Sequence, residues 1–94
     1  MNFTIGDTVV CSVEVKRNGI LISPTSMKLS ISHITTKEYF VTGEDMDPDE
    51  IEEGKYSYEL QTTEEFPTGA YYIDYVAVYN NRVTQSSDFF NLQQ

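Results

Sequence analysis

Three groups of side chains in this 94-residue chain have types and spacings that could support chemistry. The first is acidic: Glu44, Asp45, Asp47, Asp49, Glu50, Glu52 and Glu53 crowd one short segment. Hard cations accept clustered carboxylates, and Asp45-x-Asp47-x-Asp49 resembles the opening of a calcium loop. Such a loop needs Gly at its sixth position and a bidentate Glu at its twelfth; here those positions hold Glu50 and Tyr56, and Pro48 interrupts the run. Asp45, Asp47 and Asp49 therefore form a loose cation candidate. The competing reading is a solvated acidic loop or single helical turn over Gly43 to Glu53, because like charges at this density repel and stay hydrated.

The second group is Cys11 with His33, the only cysteine and the only histidine. No serine or cysteine nucleophile stands in a recognisable catalytic pattern. One Cys and one His do not complete a tetrahedral zinc site. Cys11 alternates with Val9, Val13 and Val15, which places it in a core, and His33 continues the apolar alternation of Met27, Leu29 and Ile31. Many carboxylates are present, but none sits in an apolar context that would raise its pKa. The chain is read as non-enzymatic, with no catalytic residue, cofactor or committed metal site.

The third group is aromatic. Tyr39, Phe40, Tyr72 and Tyr79 could leave rings on the surface, where they would meet a sugar face or a protein. The alternative is that they are core or cross-strand pairs.

The elements that must position these groups are written in a period of two. Thr8 to Lys16, Ser26 to Ile34, Lys55 to Gln61 and Ala70 to Tyr79 alternate apolar and polar residues, and turn signals separate them. Ile20-Leu21-Ile22 is a brief strand stopped by Pro24, and Lys37 to Val41 is a short strand at an edge. Tyr56, Tyr58 and Leu60 point inward from one strand; Tyr71, Ile73, Tyr75 and Ala77 point inward from another, placed centrally. Arg17-Asn18-Gly19 and Asn80-Asn81 supply the left-handed geometry that tight hairpins need. Arg82 to Leu92 closes the chain, kinked near Ser87, with Phe90 and Leu92 inward. These features specify an all-β fold: an antiparallel β-sandwich of about seven strands with Greek-key connections, one domain over residues 1–94.

Composition narrows the partners. A net charge of −9 repels phosphate backbones and anionic membrane surfaces, so neither nucleic acid nor membrane is an expected partner. No apolar stretch approaches the roughly 20 residues that span a bilayer. The first residues lack a basic region followed by an apolar run, so export by a signal peptide is not expected. A lone cysteine cannot form an intrachain disulfide. The segment Lys37-Glu38-Tyr39-Phe40-Val41 has few guarding charges, and an exposed edge strand pairs readily with another chain. Tyr39, Phe40 and Val41, with Phe3 and Ile5 in the arm Met1 to Gly6, are the candidate partner contacts.

Several stretches together carry a resemblance. Gly6-Asp7-Thr8-Val9-Val10 leads into Val13-Glu14-Val15 and then Gly19-Ile20-Leu21-Ile22-Ser23-Pro24-Thr25-Ser26. Later come Gly54-Lys55-Tyr56-Ser57-Tyr58 and Pro67-Thr68-Gly69-Ala70-Tyr71-Tyr72. Over nearly its whole length the chain resembles the small immunoglobulin-like modules related to macroglobulin and bacterial Ig-like domains. In those, a G-D-x-V phrase opens the first long strand and G-x-Y opens two later ones. The acidic segment is more charged than that pattern. The resemblance implies an immunoglobulin-like sandwich in which Gly54 and Gly69 give sharp entries. Tyr56 and Tyr71 would plug the interior, a tyrosine hydroxyl bonding backbone near the corner. It carries over no binding residue. Such modules occur in adhesins, in secreted polymers and as free-standing proteins of tailed-phage virions. The leading expectation is an assembly protein of a tailed-phage virion (head–tail connector, neck or capsid decoration), made in the host cytoplasm. It would contact other virion proteins, as a homo-oligomeric ring or array. The alternative is a ligand- or carbohydrate-binding module of a cell-surface adhesin.

Overall fold

A computed structural model describes residues 2–94, and the arm residue Met1 lies outside the described residues. Ten strand segments follow in order: β1 (Asn2–Thr4), β2 (Thr8–Glu14), β3 (Lys16–Arg17), β4 (Ile20–Leu21), β5 (Ser26–His33), β6 (Tyr39–Asp45), β7 (Asp47–Pro48), β8 (Lys55–Gln61), β9 (Gly69–Tyr79) and β10 (Arg82–Gln93). The protein is all-β. Among the described residues no helix is long and apolar enough to cross a membrane. A five-stranded sheet runs β1-β10-β9-β5-β6, a three-stranded sheet runs β2-β8-β7, and β3 with β4 makes a small separate ribbon. Every pairing is antiparallel except that of β1 with β10, which is parallel.

The alternation written in the sequence decides which faces meet. In β9, Tyr71, Ile73, Tyr75 and Ala77 are buried; in β5, Met27, Leu29, Ile31 and His33 are buried. Val9, Cys11 and Leu60 of the three-stranded sheet join them in one continuous core, with Val41, Met46, Phe90 and Leu92. Each such apolar side chain contributes about 1.5–3 kcal/mol when taken fully out of water. The hairpin joining β9 to β10 turns on Asn80 and Asn81, at φ 50° and 62°. Left-handed geometry at both central residues matches the twist of the flanking strands. No cis peptide bond occurs among the described residues.

Four expectations need correction. The segment Gly43 to Glu53 is neither a loop throughout nor a helical turn: β6 continues to Asp45, and Asp47–Pro48 pairs with β8. Met46 is the reason. Its side chain is buried, and its N–H donates to the Met27 carbonyl at 3.0 Å, so the chain is anchored as it crosses between the sheets. The closing strand is not kinked; its register with β9 runs unbroken from Arg82–Tyr79 to Leu92–Gly69. The first long strand ends at Glu14, because Val15 turns its backbone to Gly54 and Ile22 and the chain re-enters as the β3–β4 ribbon. The short edge strand begins at Tyr39 rather than Lys37, which sits in a turn at φ 64°.

The two sheets differ in width, and this leaves one strand uncovered. From Arg82 to Phe89, β10 is exposed on both faces. The core-side positions in that stretch are Arg82, Thr84, Ser86 and Asp88, all polar, so water there costs nothing. Only beyond Asp88 does the strand turn apolar side chains, Phe90 and Leu92, into the core.

Candidate functional site

His33 and Tyr71 form the most heavily bonded pair of side chains in the interior. Their rings meet edge to face at 4.9 Å. The Nδ1 of His33 accepts from the Thr36 N–H at 3.2 Å, so its proton sits on Nε2, which donates to the Thr68 carbonyl at 3.0 Å. Both ring nitrogens are thus engaged by backbone. The Tyr71 hydroxyl donates to the Pro67 carbonyl at 2.6 Å, and its ring stacks on Phe90 at 5.0 Å. Burial, with Glu38 adding repulsion, pushes that hydroxyl up to about 12. The arrangement is a corner lock: a buried aromatic whose polar tip pins the turn that leads into β9.

Cys11 is buried and distant in role from His33. Burial, then the charge of Asp88, pushes its thiol up to about 11, which leaves almost no thiolate at neutral pH. The one buried polar threonine, Thr62, is fully bonded. Its hydroxyl donates to the Asp7 carbonyl at 2.7 Å and accepts from the Gly6 N–H at 2.9 Å. It ties the β1–β2 connection to the end of β8, and nothing in its spacing announced this.

The three aspartates of the acidic segment go to separate tasks. Asp45 pairs with Lys28 across β5 and β6 at 3.5 Å. Asp47 lies in β7 against Ser57. Asp49 accepts from the N–H groups of Ile51 and Glu52, at 2.8 and 2.9 Å, and these bonds hold its carboxyl below the usual range. Among the described residues, no group of three or more His, Cys, Asp or Glu is placed to hold a metal ion.

The partner-contact candidates divide. Tyr39 is exposed on β6. Phe40 instead stacks on Phe66 at 4.6 Å, and Val41 is buried in the core; bulges between β5 and β6 turn both side chains inward, leaving only their backbone at the edge. Phe3 packs edge-on against Phe90 at 5.9 Å, and Ile5 is half-buried against the core. Tyr79 is half-buried, whereas Tyr72 stays accessible.

Two surface features go beyond the sequence reading, which named Tyr39 and Tyr72 as surface rings but neither Phe89 nor a cleft. Strand register places Phe89, Tyr72, Ser32 and Tyr39 side by side across the outer face of the five-stranded sheet. Phe89, Tyr72 and Tyr39 are 64%, 39% and 59% exposed, so three aromatic rings share one row. Phe89 could have been found from its neighbour: if Phe90 is inward, the residue before it is outward. The second feature is a cleft of about 480 Å³ between the sheets, walled by Val13, Val15, Ile22, Met27 and Tyr75 and bordered by Lys16, Arg17 and Arg82.

No protein-family model matches the chain, no curated protein matches its sequence, and no solved structure matches its fold.

Proposed function

We propose that this chain is an immunoglobulin-like sandwich module that works by protein–protein contact, as an assembly component of a tailed-phage virion. The sheet orders β1-β10-β9-β5-β6 and β2-β8-β7 fit the immunoglobulin pattern with Greek-key connections. The Tyr71 hydroxyl bonded to the carbonyl of Pro67 matches the tyrosine corner of such domains. The observation that carries the assembly reading is the open border of the five-stranded sheet. One side of β10 is unpaired from Arg82 to Asp88, and β6 lies at the opposite edge. Unpaired strand edges are templates for another chain. The polar groups with chemical potential, His33 and Cys11, are buried and committed to structure. Placement at a connector, neck or capsid surface follows the sequence resemblance, and the partners would be other virion proteins.

The test is mass spectrometry of density-purified phage particles produced with the gene intact. The chain should appear in particles at a fixed stoichiometry and cross-link to structural proteins. Complete absence from particles overturns the reading. The aromatic row Phe89-Tyr72-Tyr39 favours a second reading, a carbohydrate-binding module of a surface adhesin, since exposed rings stack on sugar faces. Retention on a glycan array, abolished by Tyr72→Ala, would establish that alternative.

A further inference from the structure

We propose that two copies of this chain join through the free edge of β10, antiparallel about a twofold axis at Gln85, so that the two five-stranded sheets become one. This deepens the assembly reading above by naming the surface and its partner. The hydrogen-bonding parity of the edge follows from the hairpin. The two-residue turn Asn80-Asn81 closes the pair Tyr79–Arg82, so even-numbered residues of β10 direct their backbone groups to β9. The odd residues Val83, Gln85 and Ser87 direct theirs outward. Two bonds mark this phase independently: Gln93, also odd, accepts from Ile5 of the β1 side at 2.8 Å, and the Phe89 N–H takes the Asp88 carboxylate at 2.8 Å. The open stretch is therefore bounded by β1 at Asn91 and by Asp88 at Phe89.

Charge selects the occupant and the register. In antiparallel pairing about Gln85, Arg82 of each copy faces Asp88 of the other, Val83 faces Ser87, and Thr84 faces Ser86. Outward groups of Val83, Gln85 and Ser87 then meet outward groups of the second copy, so register and hydrogen-bond phase agree. Shifting the pairing by two residues keeps the phase but removes the Arg82–Asp88 match. The surroundings extend the complementarity. Lys16 and Arg17 gather with Arg82 at one end of the edge, against Glu14 alone. Asp49 lies with Asp88 at the other, where Lys55 is already paired with Glu52 at 2.7 Å. A twofold axis brings the positive end of one copy to the negative end of the other, which orients and selects the encounter. The remaining edges offer no such self-match: β1 is three uncharged residues, β6 is bulged, β3, β4 and β7 are two residues each, and β2 carries only Glu14 as a charge.

Sedimentation and light scattering up to about 1 mM chain test the proposal, since a strand-edge interface is small and its affinity correspondingly weak. A mass twice the monomer's 10.8 kDa is expected. Arg82→Glu and Asp88→Arg should each weaken self-association at least about tenfold, because each places like charges opposite. Mixing the two variants should restore a dimer, because both opposed pairs become complementary again. Gln85→Pro should abolish association while leaving the β9 ladder and the melting temperature nearly intact, since its N–H points away from β9. A strict monomer at 1 mM overturns the inference. So does a dimer that Gln85→Pro and both charge variants leave unchanged, or charge variants that fail to pair when mixed. A monomer still incorporated into particles removes this edge and leaves the assembly reading standing; a dimer absent from particles does the reverse.

Discussion

Tyr71 concentrates several structural tasks in one side chain. It is fully buried, stacks on Phe90, meets His33 edge-on and holds Pro67 through its hydroxyl. Tyr71→Phe keeps the rings and leaves the Pro67 carbonyl without its donor, so it should cost about 1–2 kcal/mol in urea unfolding. Tyr71→Ala should cost about 3–5 kcal/mol, because the cavity adds to the lost bond. Gly54 is constrained differently: its φ is +85°, and a Cβ would lie 2.8 Å from the Ile22 carbonyl oxygen. Gly54→Ala should therefore destabilise by at least the strain of a left-handed residue, of order 1–3 kcal/mol. Cys11 gives a chemical check. With the thiol raised from 9.0 to about 11, native protein at pH 8 should react with a thiol reagent about a hundredfold more slowly than the denatured chain. Burial of Cys11, Val9, Tyr71 and Leu92 was legible from alternation alone. The tasks of Thr62 and Met46 were not, because each depends on partners far along the chain or on a single anchor within a polar run.

At the scale of elements, turn chemistry and period carried most of the information. The β8 boundaries follow directly from alternation, since its inward Tyr56, Tyr58 and Leu60 differ clearly from its polar outward residues; in β9, whose outward face includes Tyr72, Val76 and Val78, the inward set follows from the period of two. The acidic segment misled for the converse reason. Its charges describe the solvent face, whereas its conformation is decided by Met46 and by pairing with β8, neither of which charge density reports. The continuous β10 was hard to read because water bathes both faces of Arg82 to Phe89, so no period survives there. The side chains of Phe40 and Val41 turn inward at the edge, because bulges move them to a face that spacing does not foretell. Asn80 and Asn81 invite a direct check. Replacing either with Val should cost about 1–2 kcal/mol by calorimetry, since both occupy left-handed geometry, and replacement with Gly should be nearly neutral.

For the molecule as a whole, the titrating groups of the core give a signed expectation. The folded-state value of Cys11 lies above its ordinary 9.0, and that of Tyr71 above 10.0, with Tyr75 raised in the same direction by burial. A group raised on folding stabilises fully below its unfolded value and loses that contribution as pH climbs through the folded one. The melting temperature should hold to about pH 9 and fall between pH 9 and 12. Cys11→Ala should delay the onset to about pH 10, where only the tyrosines remain. A melting curve that is flat to pH 12 would contradict the burial of all three groups.

The parallel pairing of β1 with β10 has a mechanical consequence. A tether at Asn2 and another at Gln94 would pull these neighbouring strands lengthwise in opposite directions, loading their bonds, Ile5 to Gln93 included, together rather than one after another. The same molecule gripped at Gly69 and at Gln94, beside the open end of the β9–β10 hairpin, would peel β10 from β9 bond by bond. Single-molecule extension should therefore record a higher rupture force along the first axis than the second, which would make this module a stiff link in one direction and a zipper in another.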